Sequence, residues 1–186
     1  PGRILTADRG DQRGTEIGDK RGKGVGRVEN LGGRTEHGVS DEKGHMFLNM
    51  QDKGLVHRID ALALKVLDTW AVAPCAQPSS MDMDRAHDRL FIGCRSGVMA
   101  VVNATTGKVI TTMPIGPGVD ATDFDPGTGL IYFSSGGEGG SLSIFHEDTT
   151  DTYSLVERVT TQANARPLAV DPKHRRVYLP AGQFAS

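Results

Sequence analysis

The sequence has few cysteines, few aromatic residues, little net charge and no long apolar run. Its two cysteines, Cys75 and Cys94, are too few for a disulfide framework, and neither lies in a CxxC or Cys/His spacing typical of a zinc site. The net charge of −2 argues against a surface that coats nucleic acid. No apolar run approaches the roughly 18–20 residues of a membrane span, so no transmembrane segment is predicted.

Glycine and short runs of aliphatic residues are abundant instead. Glycine accounts for 24 of the 186 residues, and 37% of the chain is hydrophobic, which is too apolar for a disordered protein. Short aliphatic runs between turn residues are typical of many short β-strands. An apolar period of 3.6 residues, which helical repeats require, is not sustained over three turns anywhere.

A motif recurs at regular intervals through most of the chain. Each copy has an aromatic residue between two apolar ones: Met46-Phe47-Leu48, Leu90-Phe91-Ile92, Ile131-Tyr132-Phe133 and Val177-Tyr178-Leu179. The central aromatic residues are separated by 44, 41 and 46 positions. An aspartate precedes every copy by six or seven residues, at Asp41, Asp84, Asp125 and Asp171. Asp125 and Asp171 are each followed by proline, a pattern that favours a turn.

Each repeat has the sequence pattern of four short strands. After the aromatic strand comes a second strand, then a turn, a third strand and a strand of small residues, as in Met99–Asn103, Asn103–Lys108, Val109–Met113 and Val119–Phe124. Four strands in roughly 43 residues are typical of one β-propeller blade. The sequence therefore predicts an all-β fold, a β-propeller with about four four-stranded blades, and a solenoid of β-hairpins is the alternative.

We predict that residues 1–186 form a single partial propeller domain. Its parts are a degenerate first blade at 1–44, clear repeats at 45–88, 89–129 and 130–175, and the start of the next blade at 176–186. The first part fits least well, because its charged, glycine-rich stretch 18–26 lacks the apolar alternation of a strand. That stretch completes neither GxxxxGK[ST] nor GxGxxG, so it is not predicted to bind phosphate.

Three segments resemble the YVTN-type β-propeller repeat of YncE-like proteins: Val102–Val109, Leu168–Pro172 and Arg176–Pro180. The resemblance covers roughly residues 40–182. It implies a seven-bladed ring and export from a bacterial cell, and therefore a periplasmic or secreted location. Seven blades would need about 300 residues, so the resemblance also implies a fragment of a longer chain or a partial ring that self-assembles.

The two cysteines are expected to lie at the same end of one blade. Folding the first two strands of that blade as a hairpin about Ala86-His87 places Cys75 in the loop just beyond the strands, beside Cys94. A disulfide closing a loop of about 20 residues would contribute roughly 3 kcal/mol. It would fit the oxidising compartment that the family resemblance implies. Two separate buried thiols are the alternative.

A ligand-binding site is predicted on one face of the propeller, which we call the channel face. There the loop leading into the first strand of each blade meets the loop leaving the second strand, around the central channel. Charged and amide side chains in loops of a rigid scaffold are typical of binding sites. The candidates are Arg34, Glu36, His37, Gln77, Arg95, Asp120, Asn164 and Arg166. Their mixed charge suits a polar or anionic ligand, and ordinary solvated loop residues are the alternative.

No metal site, cofactor or catalytic residue is predicted. Propeller enzymes with haem or copper take histidines from several blades, but His45, His87 and His174 are expected at one end of the blades and His37 at the other. The acidic segment His146–Asp151 lacks the spacing of a calcium-binding loop and is predicted to be a solvated turn.

The predicted function is non-enzymatic binding or scaffolding, with a protein, a peptide or a small polar ligand as partner. The alternative is a propeller enzyme, either a lactonase-like hydrolase or a quinone- or haem-linked dehydrogenase, with part of its site in missing blades. Nucleic acid is a less favoured partner, because aromatic residues make up 5% of the chain and lie mostly at repeat positions.

Overall fold

The computed structural model describes residues 3–7, 14–18, 24–29, 31–137 and 139–182. These residues form β-strands joined by turns and loops, with no helix among them, so the prediction of an all-β fold is confirmed. In particular, the described part of the chain holds no helix long and apolar enough to cross a membrane. Part of the glycine-rich stretch 18–26 lies outside the described residues.

The strands form five antiparallel sheets in chain order, each a simple meander. Sheet 1 comprises β1 (Arg3–Ala7), β2 (Gly14–Gly18) and β3 (Gly24–Val28). Sheet 2 comprises β4 (Thr35–Ser40), β5 (His45–Met50), β6 (Leu55–Asp60) and β7 (Lys65–Ala71). Sheet 3 comprises β8 (Pro78–Asp84), β9 (Arg89–Cys94), β10 (Val98–Asn103) and β11 (Val109–Pro114). Sheet 4 comprises β12 (Val119–Asp125), β13 (Leu130–Ser135), β14 (Ser141–Thr149) and β15 (Thr152–Thr160), and sheet 5 comprises β16 (Ala169–Asp171) and β17 (Arg176–Tyr178).

The first strands of neighbouring sheets lie side by side, with β4 beside β8, β8 beside β12 and β12 beside β16. The last strand of each four-stranded sheet lies at the opposite edge, and β15 is exposed along most of its length. Each predicted repeat begins at the second strand of a sheet and takes its fourth strand from the next sheet. This offset arises because the aromatic motif, which marks the repeat in the sequence, lies in the second strand.

The apolar core fills the gaps between neighbouring sheets. In β9, Phe91 belongs to the core shared with sheet 4, whereas Leu90 and Ile92 belong to the core shared with sheet 2. Successive side chains of a strand point to opposite faces, so a strand between two neighbours is buried on both of them. This is why the aromatic motif is apolar at three consecutive positions. All three side chains are fully buried.

The repeated aspartate is the last residue of the first strand of its sheet, or in sheet 2 the residue after it, and it stabilises the turn that follows. Asp84 accepts a hydrogen bond from the Ala86 amide at 2.9 Å and pairs with the imidazole of His87. Asp125 accepts bonds from the Gly127 amide at 2.9 Å and the Thr128 hydroxyl at 2.8 Å. Equivalent imidazole pairs join Asp41 to His45 and Asp171 to His174, each at 2.7 Å. The predicted turns are therefore present, and three of the six histidines have a partner within them.

The prediction for the segment His146–Asp151 is wrong for most of its length. Strand β14 extends to Thr149, so the turn is confined to Thr150 and Asp151. The hairpin of β14 and β15 is longer than the hairpins of the other sheets because both of its strands have nine residues. Glu147 therefore lies within a strand and is half-buried.

Candidate functional site

The loops of the channel face are joined in the same way in three sheets. The residue that follows the second strand donates its amide hydrogen to a carbonyl in the loop that leads into the first strand. These pairs are Gln51 with Arg34 at 2.8 Å, Arg95 with Gln77 at 3.1 Å, and Gly136 with Gly118 at 3.3 Å. The predicted site residues in these loops thus lie at one end of the sheets, and backbone hydrogen bonds fix the loops to one another.

A residue with left-handed backbone geometry recurs in the loop before the first strand. Gln77, Gly118 and Asn164 occupy equivalent positions and have φ values of 57°, 68° and 65°. Glycine adopts this conformation without strain, and asparagine adopts it more readily than most other residues. The shared turn gives the three loops a common path on the channel face.

Three of the predicted site residues line one recess on this face. Asp120 comes from the start of β12, and Asn164 and Arg166 come from the loop before β16. The recess has a volume of about 720 Å³, and its remaining lining is Pro167, Pro180, Ala181 and Gly182. Its size falls within the range of small-molecule sites, and it combines apolar walls with a few polar groups as such sites do.

The backbone around Arg166 is held from two sides. The Ser134 hydroxyl donates a hydrogen bond to the Arg166 carbonyl, and a β-bridge joins the neighbouring Ala165 to Ala181. The Arg166 side chain runs over Gly136, where an added Cβ would come within 2.5 Å of the Arg166 Cγ. The residue itself is exposed, so the fold holds its backbone and stem while leaving it accessible to a ligand.

Comparison with solved structures identifies the architecture. A chain of the mitotic checkpoint complex superposes with a TM-score of 0.82 at 14% identity, over 96% of this chain and 56% of that one. Hydrazine synthase of Kuenenia stuttgartiensis gives 0.83 at 12% identity, over 94% and 51%. A candidate 6-phosphogluconolactonase of Bacteroides fragilis gives 0.76 at 14% identity, over 96% and 60%. The fold is that of a β-propeller.

The propeller likeness concerns the fold alone, because all three identities are far below those at which function is shared. No protein-family model and no curated protein sequence matches the chain. The chain spans between 51% and 60% of the length of these structures. Sheets 2, 3 and 4 correspond to four-stranded blades, and we refer to all five sheets as blades below.

Five of the predicted site residues do not line the recess: Arg34, Glu36, His37, Gln77 and Arg95. Arg34, Gln77 and Arg95 lie in the equivalent loops of blades 2 and 3. Glu36 and His37 lie within β4, the first strand of blade 2. The recess at blades 4 and 5 therefore holds three of the eight candidates, three more lie in loops of the same face, and the two in β4 belong to a strand rather than to a loop.

Two carboxylates that the sequence analysis did not select lie on neighbouring first strands. Asp82 accepts the Phe124 amide at 2.7 Å, and Asp123 accepts the Val170 amide at 3.1 Å, so each carboxylate links its blade to the next. Burial raises the pKa of Asp82, and burial together with the nearby charge of Asp82 raises the pKa of Asp123. The sequence does contain a signal for this pair, because each lies nine residues before the aromatic residue of its repeat.

A further group of polar side chains lies at the end of the blades opposite to the channel face. Asp84 and His87 of blade 3 and Glu147 of blade 4 have ligand atoms within 4.8 Å of one another. Burial and the nearby charge of Asp84 raise the pKa of Glu147. The positions of the histidines alone do not reveal this group, because it combines one imidazole with two carboxylates, one of them from the neighbouring blade.

Proposed function

We propose that this chain is the ligand-binding part of a non-enzymatic β-propeller, and that the recess on its channel face binds a small carboxylate ligand. The observation that carries the proposal is the convergence of Asp120, Asn164 and Arg166 on one recess of about 720 Å³. These residues come from two blades, and Asp120 lies 44 positions before Asn164 in the sequence. A rigid scaffold that presents polar loop residues around a concavity is the usual arrangement of a binding site.

The chemistry of the recess suggests which ligand it suits. The planar guanidinium of Arg166 can bind a carboxylate through two parallel hydrogen bonds. The Asn164 amide can donate to and accept from the same ligand, and the Asp120 carboxylate can accept a hydrogen bond from a hydroxyl group. A carboxylate that also carries hydroxyl groups would satisfy all three side chains, and the apolar walls would pack against its carbon chain.

The proposal predicts that Arg166→Ala weakens binding of gluconate, a polyhydroxy carboxylate, by about tenfold or more, because a hydrogen bond to a charged group contributes roughly 1.5–3 kcal/mol. Isothermal titration calorimetry measures the dissociation constants of both proteins. Arg175→Ala is the matched control, because Arg175 is an exposed arginine in the turn between the two strands of blade 5, at the other end of the blade. We expect that variant to bind within twofold of the unmodified chain.

Equal weakening in both variants, or no saturable binding of gluconate, would contradict the recess as a carboxylate site. Incubation of the protein with glucono-δ-lactone tests the alternative of a lactonase-like hydrolase. We expect the lactone to open no faster than in buffer. Protein-dependent hydrolysis that is lost in Arg166→Ala would replace the binding function by an enzymatic one at the same recess.

We also propose that the chain belongs to an exported, YncE-like propeller with seven blades. The YVTN-type segments support this assignment, and so does the Cys75–Cys94 disulfide, because structural disulfides are typical of oxidising compartments. Expression of the natural gene with a C-terminal epitope, followed by cell fractionation, tests the location. Recovery of the protein from the cytoplasm alone would contradict export.

A further inference from the structure

We propose that Asp84, His87 and Glu147 form a binding site for a divalent transition-metal ion, with zinc as the ion best suited to it. The site lies between blades 3 and 4, at the end of the blades away from the channel face. It is independent of the carboxylate site proposed above, since the two share no residue.

The geometry is close to that of a coordination sphere. One ligand atom from each side chain lies within 4.8 Å of the other two. Ligand atoms at about 2.1 Å from a tetrahedral zinc ion are about 3.4 Å apart. The proposed ion replaces the hydrogen bond between Asp84 and His87, and the Glu147 carboxylate moves towards them. The three residues also line an open recess of about 380 Å³ together with Thr149 and Thr150 of the long hairpin, which leaves room for water as the remaining ligand.

The repeat itself indicates that Glu147 is not required by the fold. Its backbone amide donates to the carbonyl of Gly129, the residue before the second strand of its blade. The same hydrogen bond is made by Ala61 in blade 2 and by Ala104 in blade 3. Two blades thus have alanine where blade 4 has a glutamate. Among the described residues, the Asp84–His87 pair is the one Asp–His pair with a third possible metal ligand nearby, and that ligand is Glu147.

The two neighbouring carboxylates of the group favour the binding of a cation. The Asp84 side chain is 4% exposed, and the Glu147 carboxylate lies beside it. Within the described ranges, neither carboxylate forms an ion pair with a lysine or arginine; Arg89, which bonds the His87 carbonyl, is paired with Asp151 at 2.8 Å. The exposed imidazole of His87 pairs with Asp84, but two neighbouring carboxylates still repel one another unless a further positive charge compensates them. A divalent ion supplies that charge.

The donor types favour zinc over calcium or magnesium. One imidazole nitrogen and two carboxylate oxygens are common zinc ligands, whereas calcium and magnesium prefer oxygen ligands alone. The Tyr153 hydroxyl donates to the Thr150 carbonyl at 2.6 Å and lies 3.3 Å from the Glu147 Oε1, outside the proposed coordination sphere. Because the ligands come from two blades, the bound ion links blade 3 to blade 4.

Calorimetric titration of zinc chloride into the EDTA-treated, dialysed chain tests the site. We expect one zinc ion per chain with a dissociation constant below about 10 µM, and affinity at least tenfold lower in His87→Ala and in Glu147→Gln. His174→Ala is the matched control, because His174 forms the same pair with Asp171 in blade 5 but belongs to no three-residue group in the described structure. That variant is expected to bind zinc like the unmodified chain.

Absence of saturable binding below 100 µM zinc, or an equal loss of affinity in His174→Ala, would overturn the proposal. Anomalous diffraction at the zinc edge from crystals of the unmodified chain gives a result that does not depend on whether the variants fold. The proposal requires the anomalous peak to lie between Asp84, His87 and Glu147. A peak elsewhere with none at this position would also overturn it.

Discussion

Replacement of Phe91 by alanine is expected to lower the free energy of unfolding by about 3–5 kcal/mol, the cost of truncating a fully buried phenylalanine. The Phe91 side chain has no exposed area and lies in the core between blades 3 and 4. Its ring centroid is 5.0 Å from that of Phe124 and 5.9 Å from that of Tyr153, so the change leaves a cavity between two blades. Urea unfolding followed by circular dichroism measures the difference.

The matched control for this experiment is Tyr178→Ala. Tyr178 occupies the same repeat position as Phe91, but the structure leaves it 49% exposed in the two-stranded blade 5. We expect this variant to lose about half as much as Phe91→Ala, because about half of the removed side chain lies in water already. Equal losses in the two variants would contradict the blade arrangement, since the sequence motif alone does not distinguish them.

Reduction of the Cys75–Cys94 disulfide is expected to lower the free energy of unfolding by about 3 kcal/mol, because the bond restricts the unfolded chain. The two cysteines are bonded in the structure, 19 residues apart in sequence, with Cα atoms 5.5 Å apart. Both side chains are buried, at the end of blade 3 that carries Gln77 and Arg95. The bond therefore ties the loop before the first strand to the end of the second strand on the channel face.

Urea unfolding with and without a phosphine reductant measures this contribution. The double variant Cys75→Ala/Cys94→Ala serves as the control, because its unfolding midpoint should not respond to the reductant. Thiol titration of the folded, unreduced protein should detect no free thiol. Two titratable thiols in that state, or a midpoint that the reductant does not change, would contradict the disulfide.

The sequence predicted the fold because the blade repeat imposes local requirements on it. An aspartate is needed to stabilise the turn after each first strand, and an aromatic residue with apolar neighbours is needed in a strand buried on both faces. Both requirements appear in the sequence at a constant spacing. The face on which Asp120, Asn164 and Arg166 lie could be predicted for the same reason, since the position of a loop within the repeat determines its face. The recess that the three residues line was not predicted from the sequence.

Side-chain contacts between neighbouring blades could not be predicted in this way. Glu147 meets Asp84 and His87 only because the third strand of blade 4 packs against the first turn of blade 3, and the sequence places them about 60 residues apart. The exposure of Tyr178 is another case, because its burial depends on a neighbouring blade rather than on its own motif.

The central claim, that the recess on the channel face binds a small carboxylate, is tested most directly by nuclear magnetic resonance. Gluconate is titrated into the ¹⁵N-labelled chain, and the amide chemical shifts are followed. The claim predicts saturable shift changes at Asp120, Asn164, Arg166 and Gly182, which line or adjoin the recess. Changes confined to the opposite end of the blades, around Asp84–His87 or Asp171–Arg175, or the absence of any saturable change, would contradict it.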